Sequence, residues 1–244
     1  TKEAFDVLNH STSHLLAQAI KELYPDVKFG FGPSIEEGFY YDIDLENALS
    51  VDDFPAIEKK MKEIASRKER IERKVVTKEE AKEIFKDEPY KLELIEGIEG
   101  EITIFSQGNF TDLCAGPHLL NTDMIKHFKL TNVAGAYWRG NSDNKMLTRI
   151  YGTSWYTKED LDNYLNILEE RKRRDHRLLG KQLNLFMISE FGPGFPFWLP
   201  DGMTLKNALV DFWTKQHIKY DYEFIDTPII LSKELWETSG HWSH

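Results

Sequence analysis

The sequence predicts an α+β fold of antiparallel sheets packed with helices, and three observations predict it. Apolar residues recur at helical spacing near the N-terminus, again from Val51, and again from Lys158. Between them lie alternating apolar runs bounded by Gly, Asn and Asp, the pattern of half-buried strands. A Pro- and Gly-rich stretch, "FGPGFPFWLPDG", separates a long charged helical run from another one. The 244 residues are therefore expected to hold a first domain over 1–156, a long linker helix over 157–184 and the start of a second, α/β domain over 185–244.

Taken in order, "HSTSHLLAQAIKELYPD" predicts a helix from about Asn9, with Leu15, Leu16, Ala19, Ile20 and Leu23 on one face and Pro25 helping to stop it. His10 and His14 then share one side, a turn apart. "VKFGFGPSIEEGFYYDIDL" predicts a hairpin in which Tyr40 and Tyr41 point to opposite faces, so at most one of them lines a given pocket. A charged amphipathic helix is expected from Val51 to about Lys74, with Ile57, Met61 and Ile64 as its buried stripe. Thr77 and Glu80 have capping-box spacing and open a short helix. "YKLELIEGIEGEITIFSQGNFTDLC" has strand character, which puts Lys91 on a strand, with Gly97 and Gly100 as turns. "KHFKLTNVAGAYWRG" and "NKMLTRIYGTSWYT" predict two strands joined by the turn "NSDN". One long helix should run from Lys158 through "RKRRDHRLLGKQL", followed by the helix "MTLKNALVDFWTKQHIKY" and a strand "YEFIDTPII".

A net charge of −10 argues against general nucleic-acid binding, which rests on a basic surface, yet it leaves room for one RNA end in a local basic cleft. The basic run from Arg171 to Lys181 reads as the solvated face of a charged helix. A single cysteine excludes an internal disulfide framework and fits a reducing compartment. No apolar run approaches a membrane span, and no signal-peptide pattern opens the chain. A cytoplasmic protein with no membrane partner is expected, trimmed from something longer because it starts at Thr1.

The chemistry gathers in two four-residue spacings, His10 with His14 and Cys114 with His118. A zinc-protease helix needs Glu after the first His, and Ser11 stands there, so that reading fails. A tetrahedral metal site of His10, His14, Cys114 and His118 is chemically sound. A metal-free acid/base pocket, or separate caps and core residues, fits the same letters. Gly116 and Pro117 place Cys114 and His118 on a loop, a common way to aim polar groups from a rigid scaffold. Asp112 would share the face of Cys114, and Lys91 could turn its apolar stem inward.

Together "HSTSHLL", "GFYYD", "DLCAGPH", "GAYWRG" and "RIYGTSW" resemble, in order, the N-terminal editing region of threonyl-tRNA synthetases. "RDHRLLGKQLNLF", "FWLPDG" and "ELWETSGHW" resemble the linker and the start of the class II catalytic domain, including motif 1 around Pro228. The closing "GHWSH" departs from the acidic residue expected after Trp242. The resemblance implies a parent enzyme that joins threonine to tRNA(Thr) with ATP and magnesium, uses a zinc ion at a site beyond this chain, and dimerises through motif 1. It implies that this stretch keeps the hydrolysis of serine wrongly attached to that tRNA, at the tRNA acceptor end, with no metal needed for editing. His10, Lys91, Asp112, Cys114 and His118 would be catalytic, and His14 and Tyr41 would bind substrate. Two alternatives stand beside it: an alanyl-type, zinc-dependent trans-editing hydrolase holding zinc on His10, His14, Cys114 and His118, and a tRNA-binding module without catalysis.

Overall fold

The computed structural model describes residues 1–243, so His244 at the end of the expected second domain lies outside the described residues. The chain divides into two compact units, Thr1–Leu168 and Glu169–His244. Helices and antiparallel sheets make up the first, as the α+β expectation requires.

Helix α1 (Lys2–Leu23) begins at Lys2 rather than near Asn9. The added turns carry Phe5 and Leu8, which extend the apolar face: Leu8 is buried, and the Phe5 ring packs 4.9 Å from that of Trp155. The face formed by Leu15, Leu16, Ala19 and Ile20 is fully buried. It packs against a five-stranded antiparallel sheet made of β1 (Lys28–Phe29), β2 (Ser34–Ile35), β3 (Gly38–Asp44), β7 (His127–Tyr137) and β8 (Met146–Trp155), in the order β1-β3-β8-β7 with β2 also on β3. The paired strands β7 and β8 confirm the hairpin expected around "NSDN". Helix α2 (Phe54–Ser66) lies on the same core through Ile57, Met61 and Ile64, as its period predicts. Its buried Glu58 accepts the Leu130 N–H at 2.9 Å and pairs with Lys129 at 3.0 Å, beside the register shift between Leu130 and Asn132.

Two expectations need correction here. The second helix stops at Ser66 instead of reaching Lys74: Lys68 takes a left-handed backbone (φ 57°), and "IERKVV" becomes strand β4 (Ile71–Val76). Its β-branched residues find a partner in β5 (Ile102–Gln107), and that ladder overrides the helical reading. Helix α3 (Lys78–Ile84) follows with the expected Thr77–Glu80 capping box. The segment carrying Lys91 is then not a strand but helix α4 (Pro89–Glu96), whose first position suits the fixed φ of Pro89. Strand character starts only at Ile102, where β5 joins β6 (Phe110–Leu113) to complete the sheet β4-β5-β6. A smaller core of Val76, Ala81, Phe85, Ile95, Ile102 and Ile104 seals α3 and α4 onto this sheet.

The expected long helix is interrupted. Helix α5 (Lys158–Arg173) ends before Asp175, whose carboxylate accepts the Arg177 N–H at 2.8 Å and caps α6 (His176–Gln182). Basic residues there pair locally, Arg173 and Arg174 with Glu170 and Arg177 with Asp175, as a solvated charged face would. In the second unit, β9 (Phe186–Ile188) pairs with β10 (Pro196–Trp198), and α7 (Pro200–Lys219) and α8 (Lys233–Thr238) follow. "YEFIDTPII" forms no strand. A strand exists only through its ladder to a neighbour, and none of the described strands pairs with it.

Asn9 fixes the position of α1 and therefore of His10. It is fully buried, its amide donates to the Ser154 carbonyl at 3.1 Å, and its carbonyl accepts the Ser154 N–H at 2.8 Å. Asn9→Ala leaves both buried backbone groups of Ser154 short of a partner. It should lower the stability of the first unit by about 2–4 kcal/mol, read as a lower urea midpoint.

Candidate active site

Four elements meet at one carboxylate. Asp112, on β6, is 2% exposed and accepts hydrogen bonds from the Lys91 ammonium of α4 and the Tyr41 hydroxyl of β3. It also accepts its neighbour's N–H, from Leu113, at 2.8 Å. The Lys91 ammonium lies 3.1 Å from the Tyr41 oxygen, and Nε2 of His14 on α1 lies 3.5 Å from Asp112. Tyr41, Lys91, Asp112 and His14 are all buried and form a dry floor.

Above the floor sit the half-buried His10, Cys114 and His118. Cys114 Sγ is 3.2 Å from Nε2 of His10 and 3.2 Å from Nε2 of His118. The Gly116 N–H also points at this sulfur, at 3.2 Å. Ring centroids of His118 lie 4.4 Å from His10 and 4.2 Å from His14. Phe105 backs His118 at 4.4 Å. The loop that carries Cys114 and His118 folds back because Gly116 adopts φ 71°, and a Cβ there would fall 2.6 Å from the Phe105 ring.

The electrostatics keep the rim neutral. Burial pushes His14 well below the ordinary histidine range, and His10 and Lys91 add to the effect. Burial lowers His118 to about 2, with help from His14 and His10. His10 is lowered by burial and partly restored by Asp112 and by the Pro117 backbone. The Cys114 thiol is pushed up to about 11, chiefly by burial, so the sulfur stays protonated near neutral pH. Burial, then the Asp112 charge, holds the Tyr41 phenol well above its usual value.

All seven residues singled out from the sequence converge here. Tyr40, by contrast, turns to the opposite face, where the Arg149 guanidinium lies 3.9 Å over its ring. The donor atoms of His10, His14, Cys114 and His118 lie within 4.8 Å of one another, so this set fits zinc in donor type. Two contributors escaped the sequence reading. Ser11, fully buried, lies 3.2 Å from Nδ1 of His118 and accepts the Leu119 N–H at 2.9 Å. Phe105 was an unmarked strand residue. No local signal joins Ser11 to a histidine 107 positions away, although its place between the two helical histidines marks it for inspection.

Residues 102–151, which carry Asp112, Cys114 and His118, match the family described as the threonyl and alanyl tRNA synthetase second additional domain. More particularly, the chain is similar to threonine–tRNA ligases along nearly its whole length. It is 55% identical to that of Staphylococcus carnosus over 99% of its own residues, 54% to that of Thermotoga maritima over 99%, and 56% to that of Clostridioides difficile over 100%. It spans only 38–39% of the length of these relatives. The resemblance drawn from the motifs is thus borne out. Among the described residues, no helix is long and apolar enough to cross a membrane.

Gly32 holds the floor open. A Cβ at this position would lie 2.2 Å from the Tyr41 ring, while the Gly32 carbonyl accepts the Ser13 hydroxyl at 2.6 Å. Gly32→Ala should force Tyr41 off Asp112 and destabilise the first unit by about 1–3 kcal/mol, visible as a lower urea midpoint and altered tyrosine absorbance.

Proposed function

We propose that this chain hydrolyses the ester of serine wrongly joined to tRNA(Thr), acting at the acceptor end, and that it does not itself aminoacylate. One observation carries the reading: four neutral His and Cys side chains converge over the buried Lys91–Asp112–Tyr41 cluster. Similarity to threonine–tRNA ligases and the second additional domain support it. The parent enzyme would join threonine to this tRNA with ATP and magnesium, with a zinc ion at a site outside this chain, as a cytoplasmic homodimer.

The need follows from magnitudes. Serine lacks one methyl of threonine, and a threonine pocket rejects it by only about 1–3 kcal/mol, roughly 10- to 200-fold. A second, smaller pocket excludes threonine by clash. Hydrolysis then requires water, a proton acceptor, and stabilisation of the developing oxyanion. His10, neutral near pH 7, holds the terminal ribose hydroxyl or takes a proton. Lys91 steers the water or protonates the leaving oxygen. Asp112 and Tyr41 receive the seryl amine and hydroxyl, and His14, Cys114 and His118 complete the wall.

This chemistry needs no metal. A second reading is favoured by the donor set: His10, His14, Cys114 and His118 would hold zinc, which supplies a Lewis acid, as in an alanyl-type trans-editing hydrolase. A third reading, tRNA binding without turnover, predicts no loss of either ester.

The test compares seryl- and threonyl-esters of tRNA(Thr) in single turnover. The seryl ester should be cleaved and the threonyl ester spared, with chelator leaving the rate unchanged. His10→Ala and Lys91→Ala, checked for folding, should each slow cleavage more than about tenfold. Loss of neither ester from a folded sample contradicts hydrolysis, and loss of activity on chelation that zinc restores points to the alanyl type.

A further inference from the structure

Ser11 stands where a zinc protease would carry its glutamate, and its hydroxyl has a definite set of partners. A hydroxyl has one hydrogen to give and two lone pairs. The Leu119 N–H occupies one lone pair at 2.9 Å. Ser11 is fully buried, and the only acceptor within reach of its hydrogen among the described residues is Nδ1 of His118, at 3.2 Å. If Nδ1 carried the ring proton, two donors would crowd the Ser11 oxygen and its own hydrogen would have no acceptor, a condition buried groups seldom tolerate.

We propose that Ser11 sets the tautomers of the whole rim: His118 carries its proton on Nε2 and offers it to the pocket, while His10 carries its proton on Nδ1 and offers a bare Nε2. The second half follows through the sulfur. With His118 Nε2–H directed at Cys114 Sγ at 3.2 Å, the thiol hydrogen is left for Nε2 of His10, also at 3.2 Å. His10 must then hold its proton on the other nitrogen, Nδ1. Ser11 fixes the direction at one end, and the Cys114 sulfur carries it to His10. The result is a one-way chain: Ser11 O–H to His118, His118 N–H to Cys114, and Cys114 S–H to His10. Such chains polarise one another.

The use of this direction rests on the hydrolytic reading above, whereas the tautomers themselves do not. Water displaces the weak thiol donor at His10 Nε2 and loses a proton to it as oxygen attacks the ester carbon. His118 keeps its proton and donates a hydrogen bond to the carbonyl oxygen while charge develops there. When the bond from carbon to the ribose oxygen breaks, the proton held by His10 passes to that oxygen. Ser11 touches no substrate and is a positioning residue.

Nitrogen-15 NMR of the full 244-residue chain labelled at histidine, with chelator present, reads both tautomers directly. The expected spectrum has His118 protonated at Nε2 and His10 at Nδ1. Ser11→Ala should convert His118 to a mixture or to the Nδ1–H form and slow seryl-ester cleavage by at least about tenfold. Nδ1–H on His118 in the unmodified chain overturns the proposal, and so does an unchanged His118 tautomer in folded Ser11→Ala. The unmodified chain decides the first point even if the variant does not fold. The expected tautomers in a chain that cleaves no ester would leave this inference standing and overturn only the proposed hydrolysis.

Discussion

Everything at the site depends on how one buried carboxylate is neutralised. Asp112 is almost wholly removed from water, and a lone carboxylate there would be prohibitively costly. Lys91 brings the opposing charge, Tyr41 a hydroxyl and Leu113 a backbone N–H. These partners come from α4, β3 and β6, with His14 of α1 alongside, so neutralising Asp112 requires both sheets and two helices to be in place. The requirement explains a short helix capped by little more than Pro89: it is anchored by burying Lys91 and Ile95 one turn apart.

The same burial sets the chemical character of the rim. Imidazoles lowered by desolvation and a thiol raised by it stay uncharged near neutral pH, so each ring keeps one N–H donor and one bare nitrogen. A dry, charged floor beneath a neutral, half-wet rim suits an ester whose carbonyl gains charge only during reaction. Preorganised donors act most strongly where water is scarce.

Much of this was legible in the sequence because it is local. The stripe of α1, the β7–β8 hairpin and the Thr77 cap are set by residues within a few positions of one another, and the opposite facing of Tyr40 and Tyr41 follows from strand geometry. The failures came where a distant partner decided. "IERKVV" continues a helical charge pattern, yet pairs with β5. "YKLELI" alternates like a strand, and only Pro89 hinted at the helix that buries Lys91. "YEFIDTPII" has strand composition but no ladder among the described residues. In the site, residue types were readable and contacts were not: the seven chosen residues lie together, but Ser11, joined to His118 across 107 positions, was seen only as the letter that ruled out a protease.

The central claim, that Lys91 and Asp112 act as one neutralised unit holding the site together, is tested most directly by a double-mutant cycle on stability with Lys91→Met and Asp112→Asn. Each single change should cost the first unit about 3–5 kcal/mol by leaving its partner charged and buried. The double variant, with no charge left, should cost less than the sum of the two by at least about 2 kcal/mol. Simple additivity of the two losses would contradict the account, because it would mean that the carboxylate and the ammonium are stabilised independently.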